Sequence, residues 1–187
     1  MTIPTSLTLF RIALIPVFVL VFYLPLDQAR LWTVIIFTLA AVTDWLDGYL
    51  ARRLNQTSAF GAFLDPVADK LMVAVALVLL LEASPSPGLA IPAAVIIGRE
   101  IAVSALRERM AEMGQGSAVA VNMAGKIKTT CQMIAIILLL YGEPLFGFPT
   151  TAAGYVLLNV AAALTLWSMF IYLARAWPTL RGSGGGA

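Results

Sequence analysis

The chain has 187 residues, of which 60% are hydrophobic and 12% are charged, and its formal net charge is +2. A soluble domain normally carries about 25% charged residues, so this composition, with a mean hydropathy of +0.91, excludes an ordinary soluble protein. The absence of histidine excludes histidine metal sites, and a single cysteine, Cys131, excludes an intramolecular disulfide. We therefore predict an all-α integral membrane protein.

Six apolar windows follow one another along the chain, each close to the ~20 residues that a transmembrane helix needs. They lie at 7–25, 31–52, 60–82, 88–110, 119–141 and 152–176. Unbroken apolar runs predict helices rather than the alternating strands of a membrane barrel. The first window is too long for a cleaved signal peptide and contains Arg11, so we expect it to be retained. These windows predict one transmembrane domain over 1–181, followed by a flexible Gly/Ser tail at 182–187.

Basic residues predict the orientation of these helices. If the N-terminus begins in the cytoplasm and the chain crosses six times, all lysines and arginines except Arg30 fall at or towards the cytoplasmic side. The opposite side carries Asp27, Glu82 and Glu143 instead. Cytoplasmic enrichment of lysine and arginine is the usual rule for membrane proteins. We therefore predict that both termini are cytoplasmic.

Four aspartates lie near the predicted cytoplasmic ends of the second and third windows. Asp44 and Asp47 are three positions apart, and Asp65 and Asp69 are four apart, so each pair shares one face of its helix. A short connection makes the two helices antiparallel neighbours. The sequence therefore predicts that four carboxylates converge at one end of a helical hairpin.

Carboxylates this close in a low dielectric cannot all remain ionised unless a cation is present. Oxygen ligands favour Mg²⁺ or Mn²⁺ over zinc, and four carboxylates suffice to bridge two metals about 4 Å apart, as in phosphoryl transfer. Small residues at Gly48, Ala51 and Gly61 leave room for a ligand beside the backbone, and Arg52 is suited to gripping a phosphate. A cation transporter, in which the aspartates form an ion pathway, is the alternative from another class.

The spacing of these residues resembles the signature of the CDP-alcohol phosphotransferase family, and every fixed position matches. The matching residues are Asp44-x2-Asp47-Gly48-x2-Ala51-Arg52-x8-Gly61-x3-Asp65-x3-Asp69. The resemblance implies a six-helix membrane fold, a homodimer and a cytoplasm-facing site with two Mg²⁺ or Mn²⁺ ions. It implies that the four aspartates bind metal and that Asp69 is also the general base. By the same resemblance, Gly48, Ala51, Arg52 and Gly61 bind the nucleotide part of CDP-diacylglycerol.

Two further stretches, at 98–114 and 117–133, resemble the branch of the family that uses glycerol 3-phosphate. This likeness implies transfer of the phosphatidyl group from CDP-diacylglycerol to the primary hydroxyl of glycerol 3-phosphate, with release of CMP, at the bacterial inner membrane. The beginning of the chain is also similar, except that Thr2 and Thr5 replace two asparagines that the family usually has. Phosphatidylglycerol, serine and inositol phosphate are the alternative acceptors, and no nucleic-acid partner is expected.

A cluster of cations on the fourth and fifth windows supports a phosphorylated acceptor. Arg99, Arg107, Lys126 and Lys128 all lie towards the predicted cytoplasmic side, and such a cluster suits a dianionic substrate. We assign Arg99, Arg107 and Lys126 to the phosphate of glycerol 3-phosphate. For Arg99, pairing with a helix-borne acid, Glu100 or Glu108, is the alternative.

Overall fold

The computed structural model describes residues 3–26, 28–54, 59–112 and 123–182, and these residues form six α-helices. The helices are α1 (Ile3–Tyr23), α2 (Ala29–Leu54), α3 (Ala59–Ala83), α4 (Pro87–Glu112), α5 (Met123–Tyr141) and α6 (Thr150–Gly182). The all-helical prediction is confirmed, and each helix covers most of its predicted window. Residues 119–122 of the fifth window lie outside the described residues, and α6 extends beyond its window to Gly182. The domain boundary at 181 stays a prediction.

The surface of the helices is that of a multi-pass membrane protein. In the described parts of the chain, Thr5–Tyr23, Pro87–Ala111 and Thr150–Ala174 are long and apolar enough to cross a membrane, and α5 has a shorter apolar stretch. Large apolar side chains such as Leu20, Phe63 and Trp167 are exposed on the outside. An apolar surface of this extent is unfavourable in water but favourable in lipid.

Hydroxyl groups buried between the helices bond to the backbone of their own helix. Thr33 Oγ1 donates to the Ala29 carbonyl at 2.7 Å, and Thr165 Oγ1 donates to the Ala161 carbonyl at 2.6 Å. A hydroxyl that bonds one turn back needs no water and no partner on another helix. These threonines therefore add no unsatisfied polar group to the apolar interior.

All six helices contribute to one apolar core, in which the rings of Phe18 and Phe37 lie 6.1 Å apart. α5 and α6 pack closely at Gly154, where an added Cβ would lie 2.8 Å from Leu139 Cγ. This glycine lets the two helices approach each other within the chain. We name the end of the bundle where α1, α3 and α5 begin the site end, and the opposite end the far end.

At the far end, side chains from helices and from the α5–α6 connection contact one another. Arg30 Nη1 lies 3.3 Å from Glu143 Oε1, and the Tyr23 hydroxyl bonds to Glu82. Gly142, with φ of +67°, ends α5, and its amide donates to the Leu138 carbonyl. A glycine in this left-handed conformation is a common helix terminator. The charges of Arg30 and Glu143 are therefore paired with each other at the far end.

Candidate active site

The predicted metal site contains a buried arginine from α1 that the sequence analysis did not assign to it. Arg11 Nη1 lies 2.8 Å from Asp44 Oδ1 and 3.3 Å from Asp65 Oδ1. The arginine is 1% exposed, whereas the two carboxylates are 37% and 42% exposed. Arg11 therefore joins α1 to both helices of the aspartate-bearing hairpin.

These contacts show where negative charge converges at the site end. Asp44 on α2 and Asp65 on α3 direct oxygens at the same nitrogen atom, as ligands of a shared cation do. Both donors are carboxylate oxygens, which suit a hard divalent ion. Among the side chains that the structure describes, no group of three acidic residues is arranged to hold a metal. The donor chemistry fits Mg²⁺ or Mn²⁺, and the complete ligand set stays a prediction.

Several predicted site residues have side chains outside the described part of the structure. Asp47, Gly48, Ala51 and Arg52 belong to α2 and Lys126 to α5, and only their place on the helix is described. Gly61 belongs to α3 and is half-buried. Of the two threonines that replace asparagines, Thr5 is buried in α1, and Thr2 lies outside the described residues.

A cavity of about 240 Å³ opens beside the aspartates, between α3, α4, α5 and α6. Asp69 lies on its α3 wall, Arg99 and Arg107 lie on its α4 wall, and Lys128 lies on its α5 wall. The structure thus brings two of the three assigned phosphate-binding residues together with the predicted general base. Lys128, which the sequence analysis included in the cation cluster without assigning it to phosphate, completes the cationic wall.

Glu100 links two of these cations. Its Oε1 accepts from Lys128 Nζ at 2.8 Å and from Arg99 Nη1 at 3.2 Å. Lys128 is 2% exposed and Arg99 is 7% exposed, so one carboxylate compensates two buried cations. Arg99 is thus paired with Glu100, one of the two acids considered for it, and its assignment to phosphate stays a prediction. The cavity wall keeps a surplus of positive charge.

The other polar contacts of the cavity come from α3 and α6. Lys70 Nζ donates to Ser104 Oγ, which in turn donates to the Glu100 carbonyl at 2.5 Å. Arg99 Nη2 donates to Ser168 Oγ at 3.4 Å. Among the buried side-chain atoms of the described residues, Arg99 Nε has no hydrogen-bond partner within the protein. A buried donor of this kind is costly unless a ligand satisfies it.

Asp69 stands between the aspartate pair and the cation cluster. Besides the large cavity, it lines a small cavity of about 10 Å³ that also contacts Arg11. Asp69 therefore lies near Arg11, which contacts two of the predicted metal ligands, and it also lines the cavity that the cations line. This position suits a base that acts on a molecule bound in the large cavity.

Replacement of Arg11 by methionine is expected to destabilise the protein. Removing one partner of a buried ion pair costs about 3–5 kcal/mol of unfolding free energy. Because both carboxylates are partly exposed, we expect a loss near the lower end of this range. Unfolding of the purified protein in detergent with a metal chelator measures it. Arg30→Met, which breaks an exposed pair at the far end, should cost no more than about 1 kcal/mol. Equal stability of both variants would contradict the role given to Arg11.

Comparison with known proteins connects this geometry to chemistry. Residues 1–170 match the family model described as CDP-alcohol phosphatidyltransferase. The chain is similar to three proteins named CDP-diacylglycerol–glycerol-3-phosphate 3-phosphatidyltransferase. The relative from Sodalis glossinidius is 57% identical over 176 residues, which are 94% of this chain and 95% of the relative. The Pseudomonas fluorescens relative is 54% identical over 98% of this chain and 94% of its own length, and the Escherichia coli K12 relative is 56% identical over 93% and 94%.

Proposed function

The chain belongs to the CDP-alcohol phosphatidyltransferase family, and on that premise we propose that it transfers the phosphatidyl group of CDP-diacylglycerol to the primary hydroxyl of glycerol 3-phosphate. The products are phosphatidylglycerophosphate and CMP. Relatives that match over nearly the whole chain carry the name of this enzyme. The observation that carries the proposal is the cavity that Asp69 lines together with Arg99, Arg107 and Lys128.

The cation cluster favours an acceptor with a phosphate monoester. Guanidinium and ammonium groups form short, charge-assisted hydrogen bonds with phosphate oxygens. Arg99 and Lys128 are buried, so these bonds would form where water screens them little. Serine has no phosphate, and phosphatidylglycerol has only a phosphodiester. The cavity, about 240 Å³, is also smaller than the ~300–1,000 Å³ of sites for drug-sized ligands, which suits a three-carbon acceptor.

In the proposed reaction the protein mainly positions the reactants and moves one proton. The cations hold the phosphate of glycerol 3-phosphate. In this orientation the primary hydroxyl of the acceptor points towards Asp69. The Asp69 carboxylate accepts the hydroxyl proton, and the oxygen attacks the phosphorus that carries diacylglycerol. A new phosphorus–oxygen bond forms, the bond from this phosphorus to the oxygen of CMP breaks, and CMP leaves. Holding two reactants in attack geometry supplies much of the acceleration of such transfers.

The donor part of the site is proposed from the signature residues. Gly48, Ala51, Arg52 and Gly61 would contact the cytidine diphosphate group, with Arg52 at the pyrophosphate. The four aspartates, Asp44, Asp47, Asp65 and Asp69, would hold Mg²⁺ or Mn²⁺, and such ions when bound stabilise negative charge on the pyrophosphate.

We also propose that all six helices span the bacterial inner membrane, with both termini and the site end in the cytoplasm. The described cations support this orientation, because Arg53, Arg107 and Lys128 lie towards the site ends of their helices and Arg30 lies at the far end. The substrate supports it as well, since a small phosphorylated metabolite would reach the cavity from the cytoplasm. A homodimer is part of the same proposal.

One assay tests the proposed function. Purified protein, CDP-diacylglycerol and Mg²⁺ or Mn²⁺ are mixed with glycerol 3-phosphate, inositol phosphate, serine or phosphatidylglycerol, and CMP is measured. We expect CMP with glycerol 3-phosphate and background release with the other acceptors. Release with inositol phosphate but not with glycerol 3-phosphate would contradict the substrate. Ion uptake into sealed vesicles without any CMP-forming reaction would contradict the proposed enzymatic function.

A further inference from the structure

We propose that Tyr172 is a positioning residue of the acceptor site, whose aromatic ring aims the guanidinium groups of Arg99 and Arg107 at the acceptor phosphate. This inference rests on the proposed function. Tyr172 lies on α6 and lines the same cavity as the two arginines. The family signature ends at Asp69, so this tyrosine lies outside it.

The ring contacts both guanidinium groups at nearly equal distances. Its centroid lies 5.7 Å from Arg99 Cζ and 5.8 Å from Arg107 Cζ. Cations within about 6 Å of an aromatic centroid are attracted to the face of the ring. Tyr172 is 5% exposed, and such attractions strengthen when water is excluded.

Arg99 and Arg107 lie far apart on one helix but reach the same ring. Arg99 and Arg107 are eight positions apart on α4, which is about 12 Å of helix. Both side chains nevertheless end at one ring, because α6 packs against α4. Ser168, one turn before Tyr172, accepts from Arg99 Nη2 at 3.4 Å. One segment of α6 therefore fixes where the α4 cations point.

Tyr172 itself is held firmly by its neighbours. It forms a small buried cluster with Val103 and Met110 of α4, and Leu106 and Met169 pack against this cluster. A side chain in such a setting has little freedom to turn away. Tyr172 can therefore hold the arginines in place before the acceptor arrives, which lowers the entropic cost of binding.

Fluorinated phenylalanines at position 172 test the role of the ring without changing its shape. Fluorine withdraws electron density from the face of the ring and weakens its attraction for cations. Binding of inorganic phosphate to the purified protein is measured for Tyr172→Phe and for its analogues with one to three fluorines. We expect the Kd to be near wild type in Tyr172→Phe and to rise stepwise to about tenfold in the trifluoro variant. Tyr172→Leu, which keeps an apolar side chain but removes the ring, should show a similar rise.

Tyr155→Leu is the matched control, because Tyr155 lies on the same helix but lines a cavity at the far end. Its phosphate Kd should equal that of wild type. In the variants at position 172, the KM for glycerol 3-phosphate should rise in parallel with the phosphate Kd, while the KM for CDP-diacylglycerol stays unchanged.

The two proposals fail in different ways. A phosphate Kd that stays constant across the fluorinated series, while Lys128→Met raises it, would overturn the role of Tyr172 and leave the proposed function intact. Absence of phosphate binding in the wild-type protein would also overturn the role of Tyr172. A stepwise rise in the Kd in a protein that forms no CMP with glycerol 3-phosphate would support the ring's role and overturn the proposed function.

Discussion

Replacement of Asp69 by asparagine is expected to lower the kcat of CMP release by about 10²–10⁴-fold, the usual contribution of a general base. Asparagine has nearly the same shape but cannot accept the hydroxyl proton. Asp69 lines both the large cavity proposed for the acceptor and the small cavity beside Arg11. Because the cations of the acceptor cavity are unchanged in the variant, the KM for glycerol 3-phosphate should change much less than kcat.

Two controls are needed to interpret the effect of Asp69→Asn. Glu82→Gln makes the same chemical change at the far end, where Glu82 bonds to Tyr23, and should leave kcat within about twofold, as expected for a site away from the chemistry. Bound Mn²⁺, measured by electron paramagnetic resonance, distinguishes loss of the base from loss of metal. Near-normal turnover of Asp69→Asn with metal bound would contradict the role of Asp69.

The helices were predictable because each contains most of an apolar window of about the length that crosses a membrane. An apolar window shows which residues suit lipid, but it does not show where the hydrogen bonding of the helix backbone ends. α6 illustrates the difference, since its window ends at residue 176 while the helix continues to Gly182. Helical structure therefore extends past the point where the apolar signal ends.

The aspartate pattern was predictable because it is local. Spacings of three and four residues put side chains on one face of a helix whatever surrounds it. The partnership of Arg11 with Asp44 and Asp65 depends instead on how α1 packs against the hairpin. A charged residue inside an apolar window does signal that a partner is needed, but sequence spacing does not identify the partner. Tyr172 lacked even that signal, because an aromatic residue is ordinary in such a helix.

Glu100 shows why the acceptor site could be only half predicted. The sequence offered Glu100 and Glu108 as acidic partners for Arg99, and neither is three or four positions from it, the spacing that makes side chains neighbours on a helix. In the structure Glu100 Oε1 accepts from both Arg99 Nη1 and Lys128 Nζ of α5. This contact involves a second helix, α5, which spacing within α4 does not reveal.

Replacement of Lys128 by methionine is expected to raise the KM for glycerol 3-phosphate by about 100-fold, since truncating a buried, hydrogen-bonded charge typically costs 2–5 kcal/mol. Lys128 is 2% exposed and lies 2.8 Å from Glu100. Its loss removes one cation from the cavity and leaves Glu100 to bind Arg99 alone. Both changes reduce the positive charge available to a phosphate. The KM for CDP-diacylglycerol should stay near wild type, because the donor is proposed to bind at the signature residues.

Two further substitutions sharpen this test. Arg30→Met removes a cation at the far end and should leave both KM values unchanged. Lys126→Met tests the assignment made from the sequence, because Lys126 and Lys128 are two positions apart and such residues do not face each other on a helix. A large rise in KM for Lys128→Met with a small one for Lys126→Met would assign the phosphate to Lys128. The reverse order would contradict the acceptor site described above, because the cavity would then not be where the phosphate binds.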